Sequence, residues 1–228
     1  MFIERAVILA AGVGSRLKWL TKGRPKALMP VAGVAAIVHV IRALSAQGVR
    51  DIAINVHHYA DQLIDHLGDG SRFGVRLYFS REQHLLDSGG GVKKALMLLP
   101  GEGWFVVHNA DVLSHTNVQE LASFADAHKV HACLGLTNNP SHHPEGDYSL
   151  QSGLVRARKP VGATYTYSGV AIFHEDVFNA YAADHPFPLN RLFSDLIAQE
   201  SLCGIIQGGM WLDIGRPRDL LNASKLLR

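Results

Sequence analysis

The feature that most constrains this chain is an apolar run near the N-terminus that ends in a glycine-rich turn. Residues 6–11 predict a buried strand, and the turn Gly12-Val13-Gly14-Ser15-Arg16 follows at once. Glycine lets a backbone turn sharply and come close to a ligand. Arg16 and Lys26 add two cations. Strand, turn and cations together predict a cradle for a polyphosphate, with main-chain N–H groups facing it.

Two other phosphate-binding loops have consensus sequences that this turn does not match. A dinucleotide fingerprint, G-x-G-x-x-G, would need a glycine where the chain has Leu17, which disfavours an oxidoreductase that uses a dinucleotide. A Walker A loop would need four residues between a glycine and Gly-Lys-Ser/Thr, and no such string occurs in the chain. A structural turn that carries charge stays an alternative, because Gly-x-Gly alone is a weak signal.

The patterns downstream of the turn predict an α/β fold. The predicted helices cover residues 34–47, 61–67, 92–99, 117–127, 189–199 and a stretch from 218. The predicted strands cover residues 51–56, 75–79, 104–108, 131–137 and 202–207, with a β pair of 154–159 and 165–173. Short glycine-ended links between the first elements favour right-handed βαβ units. We therefore expect a Rossmann-like mixed, mostly parallel sheet with helices on both faces.

Polar residues follow the predicted strands at their carboxyl ends, where ligands bind in such sheets. The turn at Gly12 lies at one of these ends, and Asn109 and Asp111 follow the strand at 104–108. A carboxylate beside a bound triphosphate suits Mg²⁺, which takes a few oxygen ligands and keeps several waters. Asp111 as a cap of the following turn is the alternative, because Asp favours such positions.

Two further segments are candidates for ligand contact. Gly89, Gly90 and Gly91 precede the predicted helix at 92–99 and allow close approach by a flat or anionic group, and a flexible loop tip is the alternative. Residues 138–150 form a polar stretch that is rich in turn formers and lacks periodicity. Such stretches inside compact domains are usually functional or disordered.

The N-terminal segment also resembles a known family. The string Leu9-Ala-Ala-Gly-Val-Gly-Ser-Arg16, followed by Pro25-Lys26, resembles the signature of the sugar-1-phosphate nucleotidylyltransferases, although Trp19 stands where that family has Pro. The resemblance implies a GT-A-like nucleotidyltransferase fold that holds a nucleoside triphosphate. The implied nucleotide-binding residues are Ala10, Ala11, Gly12, Gly14, Ser15, Arg16, Lys26, Glu82, Gly90 and Asn109. Within this set, Glu82 and Gly90 are expected near the base edge.

Downstream segments extend the resemblance to the metal and sugar-phosphate sites. Asn109-Ala-Asp111 and Trp211-Leu-Asp213-Ile-Gly215 resemble the segments whose aspartates bind Mg²⁺, which implies that Asp111 and Asp213 are metal ligands. Lys159-Pro160 and Tyr167-Ser168-Gly169 resemble the sugar-phosphate segments, which implies roles for Lys159, Ser168 and Gly169. Arg158 stands where the family often has Glu, and a solvated strand-end charge is the alternative for Lys159.

The string His142-His-Pro-Glu-Gly-Asp147 resembles a segment of the small uridylyltransferases that act on N-acetylmuramate 1-phosphate. An acceptor sugar needs hydrogen-bond acceptors for its hydroxyl groups, and Asp147 is the candidate in this stretch. The resemblance therefore favours UTP and N-acetylmuramate 1-phosphate as substrates, with UDP-N-acetylmuramate as the product in peptidoglycan recycling.

The expected reaction is Mg²⁺-dependent nucleotidyl transfer to a sugar 1-phosphate, with Arg16, Lys26 and Asp111 as catalytic residues. Guanylyl or thymidylyl transfer to mannose or glucose 1-phosphate stays open. So does a nucleotide-sugar binding module without catalysis, although the pair Asp111 and Asp213 disfavours a mere binder.

Composition limits the partners. The chain has 228 residues and is expected to form one nucleotidyltransferase domain over 1–228, as a monomer or small homo-oligomer. A formal net charge of +2 does not argue for nucleic acid or an anionic membrane. The sequence has no apolar run of about eighteen residues and no basic leader at its start, so we expect a cytoplasmic protein. Scattered histidines and two cysteines form no metal-spaced set.

Overall fold

The computed structural model describes residues 2–12, 23–159 and 161–227. The strands in these ranges are β1 (Arg5–Leu9), β2 (Pro30–Val31), β3 (Val34–Ala35), β4 (Asp51–Val56), β5 (Arg76–Arg81), β6 (Trp104–Asn109), β7 (Val112–Ser114), β8 (Ala132–Thr137), β9 (Tyr148–Gln151), β10 (Leu154–Ala157), β11 (Thr166–His174), β12 (Leu202–Ile206) and β13 (Trp211–Asp213). The α-helices are α1 (Ala36–Ala46), α2 (Ala60–Leu67), α3 (Asp87–Leu96), α4 (Val118–His128), α5 (Leu189–Ala198) and α6 (Pro217–Leu226). Within the described ranges, no helix is long and apolar enough to cross a membrane.

One mixed sheet organises the described residues, with the strand order β5-β4-β1-β6-β11-β8-β12-β10-β9. β1 pairs in parallel with β4 and β6, and β4 pairs in parallel with β5. β11 then runs antiparallel to β6 and β8, and β12 is parallel to β8. The carboxyl ends of β5, β4, β1 and β6 therefore lie along one edge. The predicted α/β fold with a mixed sheet is confirmed.

Successive residues of a strand point to opposite sides of the sheet, so strands of consecutive apolar residues present apolar side chains on both faces. Helices pack on both faces and cover these side chains. In β1, Ile8 packs with the layer that contains α1, α2, α4 and α6, whereas Val7 packs with the layer that contains α3 and α5. Both side chains are fully buried. Burying an aliphatic side chain of this size stabilises the fold by about 1.5–3 kcal/mol. The continuous apolar run of β1 is therefore explained, because helices cover this strand on both faces of the sheet.

The predicted start of the third helix is wrong, because α3 begins at Asp87 and includes the three glycines. Glycine is a poor helix former, so the helix needs support from outside itself. That support comes from the carbonyl oxygen of Phe187, which accepts hydrogen bonds from the N–H groups of Gly89 at 2.8 Å and Gly90 at 3.1 Å. A tertiary contact thus extends the helix toward its N-terminus.

The predicted pairing of 154–159 with 165–173 is also wrong. β10 pairs with β9 and β12, while β11 lies between β6 and β8. The Ser152-Gly153 dipeptide closes the β9–β10 hairpin, and both residues have positive φ, 50° and 80°. Two such residues form the tight turn that matches the twist of paired strands. This local turn fixes β10 beside β9.

We expect Asn117→Ala to lower the free energy of unfolding by about 1 kcal/mol. The Asn117 side chain caps α4 by accepting hydrogen bonds from the N–H groups of Gln119 and Glu120, at 3.1 and 3.2 Å. Urea unfolding followed by circular dichroism measures the loss. Asn117→Asp keeps an oxygen acceptor and is the matched control. Equal stability of both variants and the parent would show that the cap contributes nothing.

Candidate active site

A cavity of about 670 Å³ opens at the carboxyl edge of β1, β4 and β6. Its volume is in the range of small-molecule sites. The residues that line it are Leu9, Ala10, Ala11, Gly12, Lys26, Ala27, Asn55, Glu82, Leu85, Asp87, Ser88, Asn109, Ala110, Asp111 and Pro186. The cavity thus lies at the strand ends, where sequence reasoning expected a ligand. Of the predicted residues, Gly14, Ser15 and Arg16 lie outside the described residues, as does Trp19.

A buried hydrogen-bond network joins three walls of this cavity. Asn55 at the end of β4 accepts a bond from the N–H of Ala10 at 2.7 Å and donates to Glu82 Oε1 at 2.8 Å. Glu82 Oε2 accepts from the N–H of Leu86 at 3.0 Å. Glu82 lines the cavity as predicted, but both its carboxylate oxygens bond to protein groups. It therefore fixes the positions of the strand exits relative to α3.

Asn55 is a cavity residue that sequence reasoning missed. It follows Asp51-Ile-Ala-Ile54 in a strand whose residues are all buried. A polar side chain next to the carboxyl end of such a strand needs a hydrogen-bond partner. This requirement could have identified Asn55 from the sequence, because the carboxyl ends of the strands were expected to face a ligand.

The three glycines of α3 contact protein groups. A Cβ on Gly91 would lie 2.5 Å from Asn55 Nδ2 and 2.8 Å from Glu82 Oε1. A Cβ on Gly90 would lie 2.5 Å from the carbonyl oxygen of His185. The N–H of Gly90 donates to the carbonyl oxygen of Phe187, two residues further along the chain. Gly90 is not among the described residues that line the cavity, and its α-carbon faces the carbonyl oxygen of His185.

Lys26 and Asp111 form an ion pair in the cavity. Lys26 begins a short 3₁₀ turn after the extended residue Pro25, and Asp111 follows β6. Their side chains are 13% and 23% exposed, so the pair is largely shielded from water. A charge-assisted contact in such a setting is stronger than one at the surface. Two residues from distant parts of the sequence, both predicted to be catalytic, thus meet in the cavity.

The backbone brings Asp213 next to Asp111. β13 pairs antiparallel with β7, which places Asp213 opposite Val112. The N–H of Ile214 donates to the carbonyl oxygen of Asp111 at 2.8 Å. The two predicted metal ligands therefore lie on paired segments of the backbone, Asp213 at the end of β13 and Asp111 just before β7. No group of three or more His, Cys, Asp or Glu that could hold a metal occurs among residues 2–12, 23–159 and 161–227.

None of the predicted sugar-phosphate residues is among the described residues that line the cavity. Gly169 has φ of +85°, and a Cβ there would lie 2.9 Å from Asn109 Nδ2, so this glycine lets β11 approach the cavity residue Asn109. Ser168 is buried, and its carbonyl oxygen accepts a bond from the Trp211 indole at 2.8 Å. Lys159 is exposed.

Asp147 anchors its own loop. Its Oδ2 accepts a hydrogen bond from the N–H of Tyr167 at 2.8 Å, and its Oδ1 lies 3.0 Å from His143 Nε2. A second anchor is Asn139, whose side chain bonds to Thr164 and Thr166. The polar stretch predicted to be functional or disordered is therefore tied to the start of β11.

His108 lies under the cavity in β6 and is buried. Its Nδ1 is 2.8 Å from the carbonyl oxygen of Asn109. Removal from water lowers the pKa of His108 to about 4, because burial disfavours the charged imidazolium. The ring is therefore neutral at pH 7 and adds no positive charge below the Lys26–Asp111 pair.

The model of the nucleotidyl transferase family matches residues 5–228 of the chain. The chain is 38% identical to the N-acetylmuramate alpha-1-phosphate uridylyltransferase of Caulobacter vibrioides, over 97% of this chain and 96% of the relative. It is 36% identical to the enzyme of the same name from Neisseria meningitidis, over 97% of each. Mannose-1-phosphate guanylyltransferase 1 of Arabidopsis thaliana is 27% identical, over 97% of this chain and 64% of the relative.

A solved structure has the same fold. HddC from Yersinia pseudotuberculosis superposes with a TM-score of 0.82 and 22% identity, over 99% of this chain and all of that one. At this identity the likeness concerns the fold alone.

We expect acid to destabilise the protein through His108. Its pKa in the folded state, about 4, is below the ordinary value near 6.5, so the unfolded chain binds the proton more tightly. This loss of folding stability is absent above about pH 6.5 and grows as the pH falls toward 4, and it reaches on the order of 3 kcal/mol in total.

Urea unfolding at pH 7 and pH 4.5 measures this difference for the parent and for His108→Gln. The variant is expected to lose less stability between the two pH values than the parent. His142→Gln, at an exposed histidine, is the control. An identical pH dependence of His108→Gln and the parent contradicts the prediction.

Proposed function

The chain belongs to the nucleotidyl transferase family, among the enzymes that act on sugar 1-phosphates, and we propose that it transfers a uridylyl group from UTP to N-acetylmuramate 1-phosphate. The observation that carries this choice is the 36–38% identity to two uridylyltransferases of that specificity, over nearly the whole of each chain. The product would be UDP-N-acetylmuramate, and the reaction would serve peptidoglycan recycling in the cytoplasm.

In this reaction a phosphate oxygen of the sugar 1-phosphate attacks the α-phosphorus of UTP. The new P–O bond forms as the bond from the α-phosphorus to the bridging oxygen breaks, and pyrophosphate leaves with that electron pair. The nucleophile is already an anion, so the protein needs no general base. Its task is to hold two anions in line and to offset their charge.

Lys26 is proposed to contact the β- and γ-phosphates, together with Arg16. Lys26 is paired with Asp111, so a triphosphate that binds Lys26 competes with that carboxylate for the ammonium group. A phosphate chain offers more negative charge than one carboxylate and is a strong competitor for the lysine. Nucleotide binding is therefore expected to release Asp111.

Asp111 and Asp213 are proposed to hold Mg²⁺. They fit this ion because it takes a few hard oxygen ligands from proteins, and the backbone places Asp213 opposite Val112, the residue after Asp111. The bound ion would neutralise charge on the phosphates and help to orient them. Release of Asp111 from Lys26 makes its carboxylate available at the moment when the nucleotide is present.

The acceptor is proposed to enter from the β11 side of the cavity. This proposal is supported by Gly169, which lets β11 approach the side chain of the cavity residue Asn109. Lys159 and Ser168 stay candidates for the sugar phosphate by resemblance, and Asp147 for the sugar hydroxyls. Asp147 already accepts a bond from the N–H of Tyr167, so its role in sugar binding would be shared with loop anchoring.

Pyrophosphate release tests the proposal when UTP, GTP and dTTP are each combined with N-acetylmuramate, mannose and glucose 1-phosphates. We expect the largest kcat/KM for UTP with N-acetylmuramate 1-phosphate. A larger value for GTP with mannose 1-phosphate, the reaction that the Arabidopsis relative suggests, would replace the substrate assignment. Binding of nucleotide sugars without turnover of any pair would indicate a binding module.

We expect Asp111→Asn to lower kcat by about a hundredfold or more, because the amide removes the negative charge proposed to hold the metal. Steady-state pyrophosphate release measures the loss, and thermal unfolding checks that the fold persists. Asp61→Asn, at an exposed carboxylate paired with Arg81, is the matched control. Parent-like turnover of Asp111→Asn would remove Asp111 from the proposed metal site.

Lys26→Ala is expected to raise KM for UTP. A hydrogen bond to a charged group contributes about 1.5–3 kcal/mol, which corresponds to a factor of about 10–150. Lys93→Ala is the control, because Lys93 Nζ donates to the carbonyl oxygen of Phe178, outside the cavity. Unchanged kinetics with UTP would rule out the phosphate contact.

A further inference from the structure

The last helix, α6, connects two parts of the candidate active site. It begins at Pro217, four residues after Asp213, and it packs against β13 and β2. β2 in turn begins four residues after Lys26. A helix of ten residues spans about 15 Å. α6 therefore runs from the strand that carries a proposed metal ligand to the hairpin of β2 and β3, which follows the proposed phosphate-binding lysine.

The turn of the β2–β3 hairpin is supported by α6. The turn residues Ala32 and Gly33 both have positive φ, 49° and 84°. Glycine adopts this conformation freely, whereas alanine adopts it only at an energetic cost, so the turn needs support from outside itself. The N–H of Ala32 donates a hydrogen bond to Ser224 Oγ at 3.3 Å. A side chain of the last helix thus holds a strained turn in place.

The hairpin is joined to the main chain of Lys26 by a short and well-packed segment. The N–H of Met29 donates to the carbonyl oxygen of Lys26 at 3.0 Å. Met29 and Val31 are buried in the same hydrophobic core as Leu220 of α6. Close-packed segments move together, so a displacement of the turn would also displace the main chain at Lys26.

Lys26 also has a contact through its side chain, the ion pair with Asp111. A triphosphate that binds Lys26 competes with that carboxylate, so nucleotide binding weakens the ion pair. The hydrogen bond between Ala32 and Ser224 does not depend on the Lys26 side chain, and neither residue is among the described residues that line the cavity. This bond therefore still holds the hairpin when the ion pair is lost.

We propose that Ser224 is a positioning residue, which acts through the β2–β3 hairpin to keep Lys26 within reach of the phosphates. The inference rests on the proposed function in that Lys26 binds a triphosphate. Ser224 itself contacts no ligand. Its hydroxyl group fixes the hairpin relative to α6, and α6 is fixed to the strand of Asp213, so Lys26 and the proposed metal site keep one relative position.

The test compares Ser224→Val with Ser224→Thr, because valine and threonine have nearly the same shape and differ by the hydroxyl group. Isothermal titration calorimetry measures the affinity of each variant for UTP and for inorganic tripolyphosphate, both with Mg²⁺. We expect Ser224→Val to bind both ligands about fivefold more weakly than Ser224→Thr, since one hydrogen bond is lost. Thermal unfolding identifies a variant that has lost its fold, and Ser224→Ala replaces Ser224→Val in that case.

A second comparison separates positioning of Lys26 from a general structural role. The same two variants are measured in a Lys26→Ala background, where we expect their affinities for UTP to be equal, because the residue that Ser224 positions is absent. A purely structural defect would weaken binding in both backgrounds. Leu221→Ala, at a residue of α6 that is 63% exposed, is the control and is expected to bind UTP as the parent does.

The proposal is overturned if Ser224→Val binds both ligands as Ser224→Thr does, or if their difference persists in the Lys26→Ala background. It is also overturned if Leu221→Ala weakens binding as much as Ser224→Val. A parent protein that binds UTP but turns over no sugar 1-phosphate contradicts the proposed function alone, and the Ser224 variants still decide the role of Ser224. A parent that binds neither UTP nor tripolyphosphate contradicts both proposals.

Discussion

The buried hydrogen bond between Asn55 and Glu82 is the interaction on which the candidate site depends. It joins the end of β4 to the segment after β5, and each partner reaches one further wall, through the N–H groups of Ala10 and Leu86. A buried carboxylate is costly unless hydrogen bonds satisfy it. Glu82 meets this condition with protein donors at both oxygens, and through Asn55 it holds the end of β1 and the start of α3 in a fixed relation. Gly91 permits the arrangement, since any Cβ there would contact both side chains.

This frame separates two chemical environments at one edge of the sheet. Lys26 and Asp111 give one end paired charges that a phosphate chain and a metal can divide between them, and β13 brings Asp213 alongside. At the other end, residues 185–188 lie on the first turn of α3, and Leu85 and Pro186 line the cavity beside Asp87 and Ser88. The sheet sets the distance between the two ends, because the intervening strands have fixed spacing.

Sequence reasoning was strongest where local pattern and tertiary role agree. The apolar runs at β1, β4 and β6 gave the strands, and their carboxyl ends gave the location of the cavity. Asp111 could be named because it follows a strand end, where ligands bind in such sheets, and Lys26 because Pro25-Lys26 resembles the family signature. Gly90 was expected near the base edge of a nucleotide, and in the structure its α-carbon faces the carbonyl oxygen of His185. Glycine in a sequence signals close approach, but not the identity of the approaching group.

The sequence by itself determined the fold class, the strand ends at which the cavity lies and the family, because these depend on periodicity and on motifs that are local in the chain. Only the tertiary structure decided which residues meet. The pairing of Lys26 with Asp111, the contacts of Glu82 and the seat of residues 185–188 on α3 all join segments distant in sequence. Such contacts depend on the order of strands in the sheet and on side-chain packing between layers, and neither has a local signature. The β9–β10 hairpin, in contrast, has a local signature, because its Ser152-Gly153 turn could be found in the sequence. This turn pairs β10 with β9, whereas the apolar pattern had favoured pairing 154–159 with 165–173.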